Sequence, residues 1–293
     1  MSTGAPKARE RVRVVAPLGI RFWDPALDTQ VVDGLNVTAF PERRPEQRLA
    51  AYLTHAGIHA FRGLPGLRSM EYPAGDGTVS SPPPSRRFLI EVADRRYRFL
   101  PTLFSVDAPF AGVFPSEAAT GSPASRPPGF YLFSTASRAV PSTLATIRAQ
   151  LADAADGGPA RHAVLEVHHG GSLLQVGISD ERGSVAVFMP YPAFADPSLA
   201  AVRGSPAAEV FHQSWELSFR VRYQPAALAW PAGPTPELRS VFGQSAASFL
   251  VPAGGSSALP VPELDGELVF GRELILRTGA DPRLFLGSPS TSP

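Results

Sequence analysis

The sequence feature that most constrains the fold is a strand pattern that occurs twice along the chain. Apolar and polar residues alternate from about Leu18 to Val92, and the same alternation returns from about Leu144 to Tyr223. A period of two is typical of strands with one buried face. In each copy a strand ends at an Asp-containing turn, and a second apolar strand follows. The repeat therefore predicts two β-modules of similar construction.

Four segments of the first copy align with four segments of the second. The aligned pairs are Leu18–Asp24 with Ile147–Asp153, Leu35–Phe40 with Val164–His169, Gly57–Pro65 with Gly183–Pro190, and Phe88–Ala93 with Trp215–Arg222. The spacings differ only by lengths that loop insertions accommodate. Two explanations stay open, namely a true duplication and a chance convergence of four generic strand patterns.

Proline and glycine are frequent in this chain of 293 residues, with 32 Pro and 26 Gly. Both residues interrupt helices and favour turns, so the composition indicates short strands joined by many turns. The length accommodates two ordinary domains, each with its own core. We therefore expect an all-β protein of two tandem antiparallel β-sandwich domains with irregular Pro-rich loops, followed by a C-terminal extension that contains a short helix.

Charge and cysteine content exclude several classes of function. The formal net charge is +1, and the chain shows no basic stripe of the kind that nucleic-acid binding requires. It has no cysteine, which excludes disulfides, thiolate metal sites and cysteine nucleophiles. Residues 1–15 lack a secretory signal, and no apolar stretch approaches the ~18 residues of a membrane span. A cytoplasmic location without membrane insertion is therefore expected.

The predicted domain organisation follows the repeat and the Pro-rich stretches. The segments are an N-terminal arm at 1–12, a first β-sandwich at 13–108, a Pro/Gly/Ser-rich linker at 109–135, a second β-sandwich at 136–225, and a C-terminal extension and tail at 226–293. The extension either completes the second sandwich or docks on a neighbouring protein.

Local patterns predict the elements of the extension. Thr235-Pro236-Glu237 is typical of a helix start with Pro in the first turn, which predicts a short helix over Pro236–Phe242. Alternation predicts strands at Ser248–Val251, Glu267–Arg277 and Arg283–Leu286.

Histidines supply the densest group of candidate metal ligands, at His162, His168 and His169. Adjacent residues on a strand point to opposite faces, so His168 and His169 are poorly placed to share one metal ion. His55 and His59 are four residues apart, but the glycine between them disfavours a helix that would bring them together. A structural role for these histidines is therefore favoured over a metal site.

No catalytic or phosphate-binding motif is present. Gly170-Gly171-Ser172 and Gly254-Gly255-Ser256 do not match the G-x-S-x-G elbow, and Gly63-Leu64-Pro65-Gly66 is not expected to lead into a helix. Turns, where Asp bonds the local backbone, explain the candidate calcium ligands. These are Asp24, Asp33, Asp153 and Asp156. The sequence thus predicts no catalytic, cofactor-binding or metal residue and no enzyme, with a hydrolase of unrecognised site as a remaining alternative.

Aromatic residues in irregular segments are the candidate interface. They are Trp23, Phe130, Tyr131, Phe133, Tyr191 and Phe194. Aromatic side chains are enriched at protein interfaces, where they act as anchors. The alternative, which stays open, is a small satellite core beneath a loop, because aromatic side chains also bury well.

The second copy resembles the transthyretin-like, carboxypeptidase-regulatory-type β-sandwich. The resemblance rests on Asp153 in a turn, the strand Ala163–Val167, the hairpin Asp180–Gly183 with its following strand, and the Met189-Pro190 ending. The first copy departs from it at Thr54–Gly57, which lacks the Asp. The resemblance implies a sandwich fold, and it implies no hydrolase activity because the C-terminal motif of the related hydrolase is missing.

The whole chain also resembles, more loosely, accessory proteins of contractile, phage-tail-like injection systems. The segments that carry this resemblance are Leu18–Pro25, Gly63–Gly66, Phe99–Pro101, Tyr131–Ser134, Met189–Pro192 and Phe270–Leu274. It implies a structural protein at the baseplate, present in multiple copies and bound to other subunits of a multi-protein particle. A carbohydrate- or ligand-binding accessory module is the alternative.

Overall fold

A computed structural model of the chain describes residues 15–71, 85–110, 112–114, 128–192, 213–252, 258–279 and 281–287. The protein is all-β, and the helices within these ranges are two short α-helices and one turn of 3₁₀-helix. None of the helices in these ranges is long and apolar enough to cross a membrane. The predicted arm at 1–12 lies outside the described residues.

The described residues of the first half form eleven short strands and a helix of one turn. The strands are β1 (Leu18–Ile20), β2 (Phe22–Asp24), β3 (Thr29–Gln30), β4 (Leu35–Pro41), β5 (Leu49–Ala50), β6 (Tyr52–Leu53), β7 (His59–Phe61), β8 (Arg86–Asp94), β9 (Thr102–Ala108), β10 (Val113–Phe114) and β11 (Phe130–Tyr131), and the helix is α1 (Arg68–Glu71). They form three sheets, with the orders β10-β1-β7-β6, β11-β2-β3 and β5-β4-β8-β9.

The second half contains ten strands that form one continuous sheet system. They are β12 (Leu144–Asp153), β13 (Val164–His169), β14 (Ser172–Ile178), β15 (Ser184–Pro190), β16 (Ser214–Arg222), β17 (Ala246–Pro252), β18 (Ala258–Val261), β19 (Leu264–Val269), β20 (Leu274–Ile275) and β21 (Arg283–Gly287). A 3₁₀ turn at Pro225–Ala227 and helix α2 (Leu238–Phe242) lie between β16 and β17.

Strand pairing repeats between the two halves at the four pairs of aligned segments. In the first half β1 pairs antiparallel with β7, and β4 pairs antiparallel with β8. In the second half the aligned strands pair alike, β12 with β15 and β13 with β16. Each first strand also gains a parallel neighbour from later in the chain, β10 beside β1 and β21 beside β12.

Strands outside the predicted sandwich limits complete both sheet systems. β10 and β11 come from the predicted linker at 109–135, and they pair in parallel with β1 and β2. From the predicted extension, β17 pairs with β16 and β21 pairs with β12, so the extension completes the second half. These two segments therefore hold sheet strands, and the domain boundaries themselves stay a prediction.

Three local expectations are wrong in detail. The extension helix begins at Leu238, and its cap is Glu237, whose carboxylate accepts a hydrogen bond from the Ser240 amide at 3.2 Å. The strand expected over Glu267–Arg277 is broken into β19 and β20, because Gly271 turns the chain with a φ of 70°. The segment Gly63–Gly66 does precede a helix, although α1 is only four residues long.

Each half has its own apolar core, built from the inward residues of its strands. The first core includes Phe22, Phe61 and Ile90, all fully buried, and the second includes Phe219 and Phe249, also fully buried. Full burial of a side chain of this size stabilises a fold by about 1.5–3 kcal/mol. The two clusters share no residue among the described part of the chain.

Several contacts join the halves, among them a hydrogen bond of 3.3 Å from the Ser105 hydroxyl to the Glu237 carboxylate. Helix α2 lies between them, because Leu238 packs against the first core while Val241 belongs to a small cluster with Phe133 and Val164. On another side Asp24 at the end of β2 forms a buried ion pair with Arg138, each side chain being 5% exposed. The segment after β11 is thereby fixed to the first half before β12 begins.

Candidate binding groove at the junction of the halves

A groove runs along the junction of the two halves and is built from two adjoining cavities. One is a narrow apolar slot of about 100 Å³, and the other is an open trough of about 360 Å³. Both are lined by His162 and Glu181, so these side chains stand where the cavities meet. Concave sites with an apolar lining and a few polar groups are the usual form of a ligand site.

The position of His162 is fixed by the turn that precedes β13. Its backbone has a φ of 58°, and its carbonyl accepts a hydrogen bond at 2.7 Å from the side chain of Gln244, which is 2% exposed. The Ser179 hydroxyl, also buried, donates to the Ala160 carbonyl at 2.6 Å and accepts from the Ala163 amide at 2.8 Å. The turn is therefore tied down on both sides, and the imidazole has a defined place.

The apolar slot is lined by both halves. Leu100, Leu103 and Phe133 come from the first half, and Ile178 and Leu238 come from the second. The Phe133 ring lies 5.5 Å from the ring of Phe242 on α2. The polar residues of its lining are His162, Asp180 and Glu181 together with Thr102, Ser179 and Thr235. The slot therefore suits a small group that is mainly apolar.

The open trough is dominated by Trp230, which is 48% exposed. Its indole contacts the His162 ring edge to face, with ring centroids 5.5 Å apart. The remaining walls are three prolines, one leucine, one tyrosine and an ion pair. They are Pro159, Pro225, Pro234, Leu228, Tyr223, and Arg161 with Glu181. An exposed indole between prolines gives a flat apolar surface with one polar edge.

Burial controls the charge of the groove. Desolvation lowers the pKa of His162, and the carboxylate of Glu181, 3.5 Å from Nε2, opposes this only in part. His162 is therefore neutral at physiological pH and offers one ring nitrogen as an acceptor. Burial and a hydrogen bond to Asp153 at 2.9 Å raise the pKa of Tyr223, so its hydroxyl stays protonated as a donor. The groove thus presents neutral polar groups beside one ion pair.

The structure separates the predicted aromatic residues. Phe130 is 3% exposed in the first core, and Phe133 is 8% exposed in the junction cluster, so their burial favours the satellite-core alternative for these two. Trp23 and Tyr131 are half-buried on paired strands. Tyr191 is half-buried against Trp215 and Phe270. Phe194 lies outside the described residues, and an interface role for the exposed parts stays a prediction.

The predicted histidine cluster is dispersed. His168 is 6% exposed on β13, and its Nε2 lies 3.3 Å from the Glu166 carboxylate. His169 pairs with the backbone carbonyl of Glu216 at 2.9 Å. His59 is buried against Phe22, with ring centroids 5.2 Å apart. Among the residues that the structure describes, no three His, Cys, Asp or Glu side chains are grouped so that they could hold a metal ion.

Sequence reasoning missed Trp230, because the residue lies in an irregular stretch without strand or helix periodicity. The prolines around it could have indicated its exposure. A segment with Pro225, Pro231 and Pro234 does not form a regular strand or helix, so an aromatic residue within it tends to lie at the surface. His162 was found by residue type, but its partner could not be inferred, because Trp230 is distant in sequence.

Comparisons with known proteins leave the chain without a family. No family model matches it, and no curated protein matches it. Among solved structures, it is similar to the shaft pilin SpaA from Lactobacillus rhamnosus GG, with 9% identity, 97% of this chain and 100% of that chain covered, and a TM-score of 0.25. It is also similar to the Bacillus anthracis TIE protein, with 8% identity, 87% of this chain and 44% of that chain covered, and a TM-score of 0.23. TM-scores this low carry no argument about function.

Proposed function

We propose that this chain is a non-enzymatic structural subunit of a contractile, phage-tail-like injection particle, placed at its baseplate. The observation that supports an assembly role is the edge of β14, which is hydrogen-bonded only to β13 among the described residues and is covered by β15 near Gly177 but not shown to be covered elsewhere. Its seven residues include no charge and no proline. Soluble monomers protect such edges with charged residues or proline, so an unprotected edge favours pairing with another protein.

A second exposed strand, β18, offers an apolar surface, although its Pro260 disfavours pairing along that edge. Strand β18 pairs only with β17 in the part of the chain that the structure describes, and its Leu259 is 58% exposed. The two modules meanwhile meet through α2 and through the buried pair of Asp24 and Arg138. Both β14 and β18 belong to the second module, so that module supplies the edges for neighbouring subunits. The more specific assignment to an injection particle is supported by the resemblance of the sequence segments described above.

The test is the size of the assembly that contains the chain in its native cells. A baseplate subunit sediments with particles of megadalton size, together with sheath and tube proteins, and the isolated chain shows no catalytic turnover. Recovery of the chain only as a free monomer or small oligomer contradicts the proposal. Replacing β14 residue Leu174 by Lys adds a charge to the edge and is expected to release the chain from the particle.

The groove favours one alternative, a carbohydrate- or ligand-binding accessory module. The 48% exposed indole of Trp230 next to a neutral His162 can stack on an apolar ring face while the imidazole bonds a hydroxyl. The test is a thermal shift screen against glycans. A rise in melting temperature that Trp230→Ala abolishes supports this alternative. The control is Tyr97→Ala, since Tyr97 is 79% exposed but lies outside the groove.

A further inference from the structure

Strand β19 carries an acidic outer face. Along Leu264–Val269 the burial pattern alternates, so that Asp265 and Glu267 are exposed while Leu268 is fully buried. The neighbouring strand β16 places Glu216 directly opposite Glu267, and Ser218 opposite Asp265. Like charges opposite each other on a sheet are destabilising, by about 0.2–1 kcal/mol. Such an arrangement favours the approach of a cation.

One carboxylate of this region has a cationic partner, and three have none among the described residues. Glu263 pairs with the guanidinium of Arg220 at 3.0 Å, and hydrogen bonds from Ser218 and then Arg220 lower its pKa. No ion pair of Glu216, Asp265 or Glu267 occurs among the described residues. The three carboxylates line an open concavity of about 610 Å³.

The second, independent observation is that β19 is an open edge. In the part of the chain that the structure describes it pairs only with β16, and no described strand is hydrogen-bonded to its other side. Its inner side rests on an apolar layer, because a Cβ at Gly266 would lie 3.5 Å from the side chain of Leu274. Unpaired backbone groups above an apolar layer are what an added β-strand requires.

The N-terminal segment of this chain has the matching pattern. Residues 7–14 read Lys-Ala-Arg-Glu-Arg-Val-Arg-Val, and the basic positions Lys7, Arg9, Arg11 and Arg13 recur every second residue. In a strand these four side chains share one face, while Val12 and Val14 share the other with Ala8 and Glu10. The acidic residues of β19, Asp265 and Glu267, have the same spacing, and Glu263 continues it just before the strand. In a strand beside β19, the basic side chains would therefore face the carboxylates, and Val12 and Val14 would face the apolar side.

We propose that the open edge of β19 binds residues 7–14 of a second copy of this chain, which add to the sheet as one further strand. The acidic side chains disfavour pairing between two β19 strands, and they select a basic partner. The contact deepens the proposed function and rests on it, because it names the surface through which copies join in an assembly. Arg11 and Arg13 lie beside Asp265 and Glu267 in this arrangement.

Lys7 makes the proposal directly testable, because it is the only lysine of the chain. A carbodiimide activates a carboxylate, and attack by the Lys7 amine forms an amide while the reagent leaves as its urea. Mixing unlabelled and ¹⁵N-labelled full-length protein distinguishes contacts between copies from contacts within one copy. The expected product joins Lys7 of one isotope to a carboxylate at 263–267 of the other. Lys7→Arg removes the side-chain amine and must abolish it.

Matched variants separate strand addition from general charge attraction. Replacing Glu267 by Gln together with Asp265 by Asn is expected to lower the yield of the mixed product about tenfold, the effect of two ion pairs of up to about 1 kcal/mol each. Asp107→Asn is the control, since Asp107 is an exposed carboxylate on β9. Val12→Pro keeps every charge but removes a backbone donor, and it must also lower the yield.

A charge exchange completes the test. Glu267→Arg abolishes the product, and Arg11→Glu in the same chain restores it. Products confined to one isotope, products spread over unrelated carboxylates, or a yield unchanged by Val12→Pro each overturn the proposal. If the crosslinking gives one of these results but the chain is still found in particles, only this contact is disproved and the proposed function is unaffected. A mixed product from a chain that never enters a particle supports this contact and removes the proposed function.

Discussion

In the first module the strands are distributed over three separate sheets, whereas in the second module ten strands form one continuous sheet system. Both modules nevertheless use the same antiparallel pairs, β1 with β7 and β4 with β8 in one, β12 with β15 and β13 with β16 in the other. The difference comes from strands outside the repeat. In the first module β10 pairs with β1 and β11 pairs with β2, in two separate sheets. In the second module β17 pairs with both β16 and β21 and so joins them in one sheet. The repeated pattern therefore defines a pairing scheme, and the segments around it define each module.

The largest expected effect comes from breaking the ion pair that ties the first module to the segment before the second. Arg138→Ala leaves the Asp24 carboxylate buried without its partner, which is expected to cost about 3–5 kcal/mol of unfolding free energy. Urea denaturation monitored by tryptophan fluorescence measures it, since Trp23 lies in the first module and Trp215 in the second.

The matched control is Arg283→Ala. Arg283 pairs with Asp281 at 3.3 Å, but the two side chains are 46% and 39% exposed, so the expected loss is at most about 1 kcal/mol. Equal losses in the two variants contradict a special role for the buried pair. Separate unfolding transitions for the two modules in Arg138→Ala alone show that this pair couples them.

A smaller effect distinguishes two glycines that the repeat aligns, Gly57 and Gly183. Both have positive φ, 71° and 76°, so alanine is strained at either by about 1–2 kcal/mol. A Cβ at Gly183 would lie 2.2 Å from the backbone oxygen of Leu151, whereas at Gly57 the nearest atom is the end of the Gln30 side chain. A side-chain end moves aside, and a strand carbonyl does not.

Gly183→Ala is therefore expected to cost about 1–3 kcal/mol more than Gly57→Ala. Thermal and urea unfolding of the two variants, measured side by side, give the difference. A larger loss for Gly57→Ala shows that the two turns are not equivalent in the way that their alignment predicts.

The smallest expected effect is a pH dependence shared by one histidine of each module. Burial lowers the pKa of His59 and of His162, so the folded chain binds fewer protons than the unfolded chain below about pH 6.5. The unfolding free energy is therefore highest above about pH 6.5 and falls as the pH is lowered toward the folded pKa values. The slope is at most about 1.4 kcal/mol per pH unit for each histidine.

Unfolding free energies between pH 7 and pH 5 measure this slope. His59→Gln and His162→Gln are each expected to flatten it, and the double variant to flatten it further. A double variant with the slope of the parent chain assigns the effect to other groups. The single variants tell which module contributes more, since Glu181 opposes the shift at His162 while burial acts alone at His59.

Local pattern was sufficient to predict many of the strands but not their pairing, since the hairpin expected at Asp180–Gly183 is wrong: β14 pairs with β13, and β15 pairs with β12. The alternation along β16 predicts which residues are buried, and Trp215 to Val221 alternate between buried and outward positions as expected. The partners of β10 and β21 could not be predicted, because a period of two reports a buried face and carries no information about a distant neighbour. The groove was missed for the same reason, since His162 and Trp230 are distant in sequence and meet only in the folded second module.

The parallel neighbours of β1 and β12 have a consequence for the order in which the protein is made. The parallel neighbour of β1 is complete once residue 114 has been synthesised, whereas the parallel neighbours of β12, β20 and β21, begin only at residues 274 and 283. Pairing over such sequence distances is slow, because a long loop must close before the contact forms. During translation the first module can therefore close while β12 still offers a bare edge to chaperones, or to a neighbouring nascent chain.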